Sequence, residues 1–157
     1  MSIIGKTTIN PVVFYTGKSC GYILWVVLLL DLLNINVLGG LRYQPLVIAS
    51  YVLLGIGALF IMVSLINLGA SVRLGLPPEK TTFKSKGIYR LSRNPMYIGL
   101  HLLTLAAMLN TIHIVFILMG VYSIITYHFI ILGEERFLKN RFGKKYIDYT
   151  KKVRRYL

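Results

Sequence analysis

The segment "MYIGLHLLTLAAMLNTIHIVFILMGVYSIITYHFIIL", residues 96–132, decides the fold. It contains two apolar runs, 96–109 and 112–132, which are parted only by the polar pair Asn110 and Thr111. A helix rises about 1.5 Å per residue and needs roughly 20 apolar residues to cross a bilayer. The second run reaches that length, and tilt or local thinning of the bilayer accommodates the shorter first run. The pattern predicts a tight helical hairpin in a membrane.

Two further apolar runs, 23–38 and 46–68, precede the hairpin. The mean hydropathy is +0.66 and 55% of the residues are hydrophobic, far from the composition of a soluble domain. These values predict an all-α membrane protein with about four transmembrane helices in a single membrane-embedded domain, 1–157. We expect Asp31 to lie near the outer border of the first span. The glycines of "GIGALF", residues 55–60, favour close helix packing.

The charges are distributed very unevenly along the chain. Eighteen Lys and Arg residues face five Asp and Glu residues, for a formal charge of +13, and among the cations only Arg42 falls between the first two spans or in the hairpin turn. The positive-inside rule then places both termini and the long loop 69–94 in the cytoplasm. Because the topology accounts for the charge, we expect no nucleic-acid partner, and with Cys20 as the single cysteine we expect no metal site.

The residues after the fourth span predict a cytoplasmic C-terminal amphipathic helix. Apolar and aromatic side chains recur there at helical spacing, with nine cations spread around them: Leu138, Phe142, Tyr146, Tyr149 and Val153. Gly143 weakens such a helix and is expected to be the point where it divides. An amphipathic helix of this composition is expected to lie on the cytoplasmic leaflet.

Polar residues that are candidates for ligand binding stand at both cytoplasmic ends of the hairpin. Asn94 and Pro95 form the expected N-cap and first position of the third helix, where free N–H groups make an anion site that Arg90 and Arg93 would strengthen. Glu134 and Glu135 leave the fourth span together, where a carboxylate pair either holds a cation or is simply solvated. Since a hairpin returns the chain to the same side, the two ends face each other and would fit a zwitterionic ligand.

Three linked motifs carry a resemblance to a known family. "GIYRLSRNPMYIG" at 87–99 is followed by "EERFL" at 134–138 and "FGKKY" at 142–146. The chain resembles the integral-membrane methyltransferases that include isoprenylcysteine carboxyl methyltransferase and phosphatidylethanolamine N-methyltransferase. The likeness covers residues 46–157, whereas 1–45, the N-terminal segment and first span, match only in hydropathy. The resemblance implies that 46–157 is a cofactor-binding core.

The resemblance implies S-adenosylmethionine as methyl donor and a lipophilic acceptor, lipid or prenyl-type, that reaches the site from the bilayer. It assigns cofactor contacts to Thr81, Thr82, Phe83, Lys84, Tyr89, Asn94, Pro95, Met96, Tyr97 and Glu134. It suggests catalytic roles for Glu135 and Arg93. The oligomeric state is left open.

Two features of the sequence bear on the acceptor. The carboxyl methyltransferases carry an arginine one turn before the paired glutamates, where this chain has Ile130, so Arg136 or Arg93 would have to replace it. An amine acceptor would need a base, and the candidates are Glu135, His101 and His128. A rival interpretation is a small non-enzymatic membrane protein whose basic tail binds anionic lipid or partner helices.

Overall fold

The computed structural model describes residues 7–35, 37, 39–69 and 83–157. These residues form five α-helices: α1 (Pro11–Leu32), α2 (Gln44–Leu68), α3 (Pro95–Asn110), α4 (Ile114–Phe142) and α5 (Lys144–Lys152). A short 3₁₀ turn, Gly87–Arg90, precedes α3. The described part of the chain contains no β-strand, and one isolated antiparallel bridge joins Leu41 to Ile112. The prediction of an all-α membrane protein is confirmed.

Three helices, α1, α2 and α4, are long and apolar enough to cross a membrane. The fourth apolar helix, α3, has 16 residues and is therefore about 24 Å long, short of the hydrocarbon thickness of about 30 Å. The predicted hairpin is present, because α3 ends at Asn110 and α4 begins at Ile114. Whether α3 makes a fourth complete span stays a prediction.

The first helix differs from the predicted run 23–38, which was wrong at both ends. Asn10 caps α1 through its side-chain oxygen, which accepts from the Val12 N–H at 2.9 Å, and Pro11 occupies the first turn. The helix ends early because Asn34 adopts a left-handed conformation with φ of 62°. Hydropathy missed the start, since polar and small residues including Lys18 occupy positions 16–21 within the helix. Lys18 consequently lies inside α1 rather than in a segment before it.

Helices α2 and α3 pack at close range over two glycines. A Cβ added to Gly57 would lie 2.9 Å from the backbone oxygen of Gly99, and one added to Gly99 would lie 2.7 Å from the backbone oxygen of Gly57. No other residue type fits that approach of two backbones. The packing role predicted for the "GIGALF" glycines is confirmed for Gly57, whereas Gly55 faces open space.

Helix α1 packs against α4 in the same way. A Cβ on Gly17 would collide with the side chain of Thr126, and one on Gly21 would meet the Ser123 hydroxyl. Further along α1, the side chains of Leu24 and Leu28 are buried with residues of α3 and α4. The N-terminal helix is therefore part of the same helical bundle as the hairpin.

A buried polar cluster joins three helices at the hairpin turn. The Asp31 carboxylate, 6% exposed, accepts from Arg42 at 2.7 Å and from the side-chain amide of Asn110. The Ser50 hydroxyl donates to Asn110 Oδ1 at 3.3 Å. Asp31 thus lies at the far end of the hairpin from Glu134, and its place near the outer border of the membrane stays a prediction.

Replacement of Asp31 is expected to destabilise the bundle. The substitution Asp31→Asn removes the negative charge from the acceptor that Arg42 and the Asn110 amide share, at a cost of about 1 to 3 kcal/mol. Thermal unfolding of the purified protein in detergent measures this effect. Asp148→Asn is the matched control, because Asp148 is 50% exposed and paired only with the exposed Lys151 among the described residues. Equal unfolding of the two variants would contradict the expectation.

The C-terminal helix divides at Gly143 as predicted. Gly143 has φ of 50°, a conformation that glycine adopts without the penalty of a side chain, and α5 begins at the next residue. Tyr146 and Val153 are 3% and 9% exposed, because this face of the tail packs back on the protein. The sequence predicted that the apolar face of this helix lies on lipid, but the structure packs at least Tyr146 and Val153 of that face against the protein.

Candidate functional site

The turn before α3 is built by Ser92, Asn94 and Pro95. Pro95 starts the helix as predicted, with Asn94 at the N-cap position. The expected capping bond from the Asn94 side chain is absent, and this part of the prediction was wrong. Instead the buried Ser92 hydroxyl accepts from the Asn94 N–H at 3.1 Å, and the Asn94 amide donates to Glu135 Oε1 at 3.1 Å. The Asn94 side chain therefore binds the Glu135 carboxylate of α4 instead of capping its own helix.

Tyr97 and Glu134 join the two ends of the hairpin. The Tyr97 hydroxyl donates to Glu134 Oε1 at 2.7 Å, and Tyr97 is 9% exposed. Glu134 is partly buried, so fewer water molecules stabilise its charge and a cation nearby is attracted to it. The predicted meeting of the start of α3 with the end of α4 is confirmed.

A third helix contributes Lys18 to the same place. The Lys18 ammonium lies over the ring of Phe14, 4.4 Å from its centroid, and close enough to Glu134 to interact electrostatically. Lys18 is half-buried on α1, where a basic side chain in a membrane protein usually marks a functional site. The site therefore combines one carboxylate, one ammonium and one phenol from three helices.

The neighbouring glutamate is held by three side chains, which together with it we call the Glu135 clamp: Arg93, Asn94, Glu135 and Arg155. Arg93 binds the carboxylate through two nitrogens, at 3.0 Å from Nε and 3.2 Å from Nη2. Arg155 adds bonds of 3.1 and 2.9 Å to Oε2. Arg93 and Glu135 are each 11% exposed, so this ion pair is largely desolvated and depends on its hydrogen bonds.

The clamp also fixes the C-terminal tail over the end of α4. The Arg93 N–H donates to the Arg154 carbonyl at 2.9 Å, and its Nη1 donates to the Val153 carbonyl at 2.8 Å. The Ser92 hydroxyl donates to the Arg155 carbonyl at 3.0 Å. The hydrogen bonds that Arg155 donates to Glu135 raise the pKa of the Arg155 guanidinium further above its usual value. Loop, helix and tail are therefore joined into one hydrogen-bonded unit.

An aromatic cluster formed by Phe83 and by residues at the end of α4 and in α5 packs beside this unit. The Phe83 ring contacts three other rings, those of Phe142, Tyr146 and Tyr149, at centroid distances of 5.2 to 5.8 Å. The Tyr149 hydroxyl donates to the backbone oxygen of Tyr89 at 2.5 Å. Burial is the main cause that raises the pKa of Tyr149 to about 12 and the pKa of Tyr89 above its usual value. Both phenols are neutral donors at physiological pH.

The structure brings the predicted site residues together to different degrees. Thr81 and Thr82 lie outside the described residues. Phe83 packs in the aromatic cluster, whereas Lys84 is exposed. The remaining predicted residues surround the hairpin ends: Tyr89, Arg93, Asn94, Pro95, Met96, Tyr97, Glu134 and Glu135. Arg93 and Arg136 were the two candidates to replace the arginine that the carboxyl methyltransferases carry at the position of Ile130. Arg93 donates to Glu135, whereas Arg136 lines an open groove of about 310 Å³ beside Glu135.

A ring of aromatic and imidazole groups continues from Tyr97 into the bundle. The Tyr127 ring lies 5.8 Å from Tyr97 and 6.2 Å from His101, and Trp25 stacks on it at 6.5 Å. The His101 ring lies 6.1 Å from that of Tyr156. Faces of aromatic rings attract cations, so this aromatic wall, formed by Trp25, Tyr97, Tyr127 and Tyr156, suits a sulfonium or ammonium group.

Sequence reasoning missed Lys18, Tyr127, Tyr156 and Arg155 as parts of the site. Lys18 was placed before the first helix, and Tyr127 resembles any apolar core position of a long span. The register of α4 offered one signal, because Tyr127 stands seven residues, or about two turns, before Glu134 and so lies on the same helix face. For Arg155 and Tyr156 the sequence carried no signal, since their positions depend on the return of the chain after Gly143.

A family model for phospholipid methyltransferases matches residues 46–145. The chain belongs to the phospholipid methyltransferase family. The match covers α2, α3 and α4 and with them Arg93, Tyr97, Glu134 and Glu135. No curated protein and no solved structure matches the chain. The predicted resemblance is confirmed, and the protein is an integral membrane methyltransferase that acts on lipid.

The phospholipid methyltransferase family match ends before the clamp is complete. Arg155 lies beyond residue 145, and Lys18 lies before residue 46. The family part of the chain thus supplies Tyr97, Glu134 and Glu135, while the flanking segments supply two of the basic side chains that surround them.

Proposed function

We propose that the protein transfers a methyl group from S-adenosylmethionine to the headgroup of a membrane lipid at the Tyr97 and Glu134 pair. The observation that carries this proposal is the 2.7 Å hydrogen bond between these two side chains at the meeting point of α3 and α4. Membership of the phospholipid methyltransferase family supports the reaction type. The pair lies within motifs that the resemblance connects with cofactor binding.

The residues present fit the charges of this donor. Glu134 offers a poorly solvated carboxylate to an ammonium or sulfonium group. The first turn of α3 offers the backbone N–H groups of Met96 and Tyr97 to a carboxylate, because helix geometry leaves them without an intrahelical acceptor. The Nδ1 atom of His101 is buried without a hydrogen-bond partner among the described residues, so it offers a polar ligand an unengaged hydrogen-bonding group.

Bound S-adenosylmethionine supplies an already activated methyl group on a sulfonium. The protein's task is then to align donor and acceptor and to keep water out. Glu134 is assigned to binding, because a carboxylate beside the sulfonium would stabilise the charged donor more than the transition state, in which that charge is dispersing. Aromatic rings from Tyr97 and Tyr127 shield the same region.

Glu135 and Arg93 are proposed to position the site. Sequence reasoning assigned them to catalysis, but their polar atoms engage each other, Asn94, Arg155 and the backbone of the tail. Such an arrangement fixes the geometry of the turn before α3, from which Tyr97 projects. It supports a role in holding the donor pocket closed rather than in the transfer itself.

An amine headgroup is the proposed nucleophile. Ile130, at the position where the carboxyl methyltransferases carry an arginine, is 1% exposed and packs with Tyr97 and Tyr127. No guanidinium is available there to hold a substrate carboxylate. An amine, by contrast, gains from the aromatic wall and needs only the loss of a proton to attack. The acceptor is proposed to enter laterally from the bilayer between the helices.

The proposed orientation places both termini and the site in the cytoplasm. The loop before α3 and the tail after α4 carry most of the chain's cations, and the site lies between them. A water-soluble donor would then reach the site from the cytoplasmic surface, while the lipid acceptor remains in the membrane. This division explains why polar chemistry stands where α3 enters the bilayer.

Label transfer tests the proposed function. The purified protein in nanodiscs is given methyl-labelled S-adenosylmethionine together with phosphatidylethanolamine, phosphatidylglycerol or a prenylated cysteine, each in phosphatidylcholine. We expect label in phosphatidylethanolamine, with loss of at least about tenfold in Glu134→Gln. Asp148→Asn is the matched control and is expected to retain wild-type transfer. Label in the prenylated cysteine alone would contradict the amine acceptor, and no label in any lipid would contradict the function.

A further inference from the structure

His101 is a partly buried titratable group whose Nδ1 atom has no hydrogen-bond partner among the described residues. Its Nδ1 atom is excluded from solvent, and no described residue donates to it or accepts from it. His101 lies four residues after Tyr97 on α3, one helical turn and about 6 Å deeper in the bundle on the same face. A buried polar atom left unpaired is destabilising, so the position favours a ligand that offers a hydrogen-bond partner.

The other candidate bases already have partners. Glu135 accepts hydrogen bonds from Arg93, Asn94 and Arg155. A carboxylate so engaged would have to give up the clamp to receive a proton. His128 shares a hydrogen bond of 2.8 Å between its Nδ1 and the Tyr156 hydroxyl. The sequence offered three bases for an amine acceptor. Among the described residues, the Glu135 carboxylate and the Nδ1 of His128 are hydrogen-bonded, whereas the Nδ1 of His101 is not.

The surroundings of His101 suit a cationic headgroup. Tyr127 meets the imidazole edge to face at 6.2 Å, and the Tyr156 ring lies 6.1 Å away on another side. The titratable groups that face His101 are Tyr97 from α3, Tyr127 and His128 from α4, and Tyr156 from the tail. None of them carries negative charge at neutral pH, and the Nδ1 atom of His128 is already paired with the Tyr156 hydroxyl.

We propose that His101 is the general base that deprotonates the amine of the lipid acceptor; this inference rests on the proposed function. Neutral imidazole takes a proton from the lipid ammonium, so an N–H bond of the lipid breaks and an Nδ1–H bond forms. The freed lone pair then forms the new N–CH₃ bond while the S–CH₃ bond breaks, and the electron pair stays on sulfur as a neutral thioether. The imidazolium returns its proton to water before the next turnover.

A substitution at His101 separates this role from mere packing. In His101→Gln an amide fills the site without a basic nitrogen, and we expect kcat for phosphatidylethanolamine at neutral pH to fall about 100-fold. We expect KM for the lipid and calorimetric affinity for S-adenosylmethionine to remain near wild type. The deficit is expected to shrink by about tenfold per pH unit towards the pKa of the lipid amine, since deprotonated substrate needs no base. His113→Gln, at the cap of α4, is the matched control.

Imidazole rescue gives a second measurement. Imidazole added to His101→Ala is expected to restore at least about tenfold in kcat but to leave Glu134→Gln unchanged. A folded His101→Gln variant with wild-type kcat, a deficit that is constant across pH, or no rescue would overturn the inference and leave the proposed function standing. Failure of the wild-type protein to label phosphatidylethanolamine would overturn both.

Discussion

Glu134→Gln is expected to weaken S-adenosylmethionine binding by about 10- to 100-fold. A hydrogen bond or ion pair to a charged group contributes about 1.5 to 3 kcal/mol, and 1.4 kcal/mol corresponds to a tenfold change in affinity. Glutamine keeps an oxygen for the Tyr97 hydroxyl, which now donates to Glu134 at 2.7 Å, so the packing of α3 on α4 survives. The loss therefore reports the missing charge. Equilibrium binding of labelled donor to the detergent-purified variant measures it.

Two controls accompany this prediction. Tyr97→Phe removes one neutral donor to Glu134 and is expected to weaken donor binding by less than the charge substitution. Asp148→Asn removes an exposed acidic group that pairs with Lys151 and is expected to leave affinity unchanged. Affinity in Glu134→Gln equal to that of the wild type would show that the donor does not use this carboxylate.

Glu135→Gln is expected to lower the free energy of unfolding by about 3 to 5 kcal/mol. The substitution leaves the Arg93 guanidinium, in a largely buried position, without its negative partner, and removal of one member of a buried ion pair carries a penalty of this size. Asn94 and Arg155 lose a charged acceptor at the same time. The tail is expected to detach from the end of α4. Thermal unfolding and limited proteolysis at the C-terminus measure these effects.

The same variant distinguishes positioning from catalysis. If Glu135 acts through the clamp, Arg155→Ala is also expected to lower the free energy of unfolding. The loss is expected to be smaller than in Glu135→Gln, because the Arg155 side chain is 35% exposed. Methyl transfer should then fall in step with donor affinity in both variants. Unchanged stability of Glu135→Gln together with a large loss of kcat would contradict the clamp and return Glu135 to the transfer step.

The fold could be predicted where one local rule decided it. Pro95 fixed the start of α3, the pair Asn110 and Thr111 parted the hairpin, and Gly143 divided the tail. Hydropathy failed for α1, because helix formation there follows from the Asn10 cap and packing on α4 rather than from apolar content. An average over a window cannot register such tertiary contacts.

The site was predictable in part for a similar reason. Tyr97 and Glu134 belong to motifs at the two ends of a hairpin, so topology alone required them to meet. The Asn94 side chain was assigned to the helix cap, but the carboxylate of Glu135 provided a stronger, charged acceptor. Arg155 and Lys18 reach the site from segments whose course depends on packing of the whole bundle, which no local spacing encodes.

A calorimetric titration of S-adenosylmethionine into the folded wild-type protein tests the central claim most directly. The account predicts saturable binding at one site per chain, weakened about 10- to 100-fold in Glu134→Gln measured beside it. Heat of binding that is absent from a wild-type protein shown to be folded by its cooperative thermal unfolding would contradict the claim that the ends of α3 and α4 form a methyl-donor site.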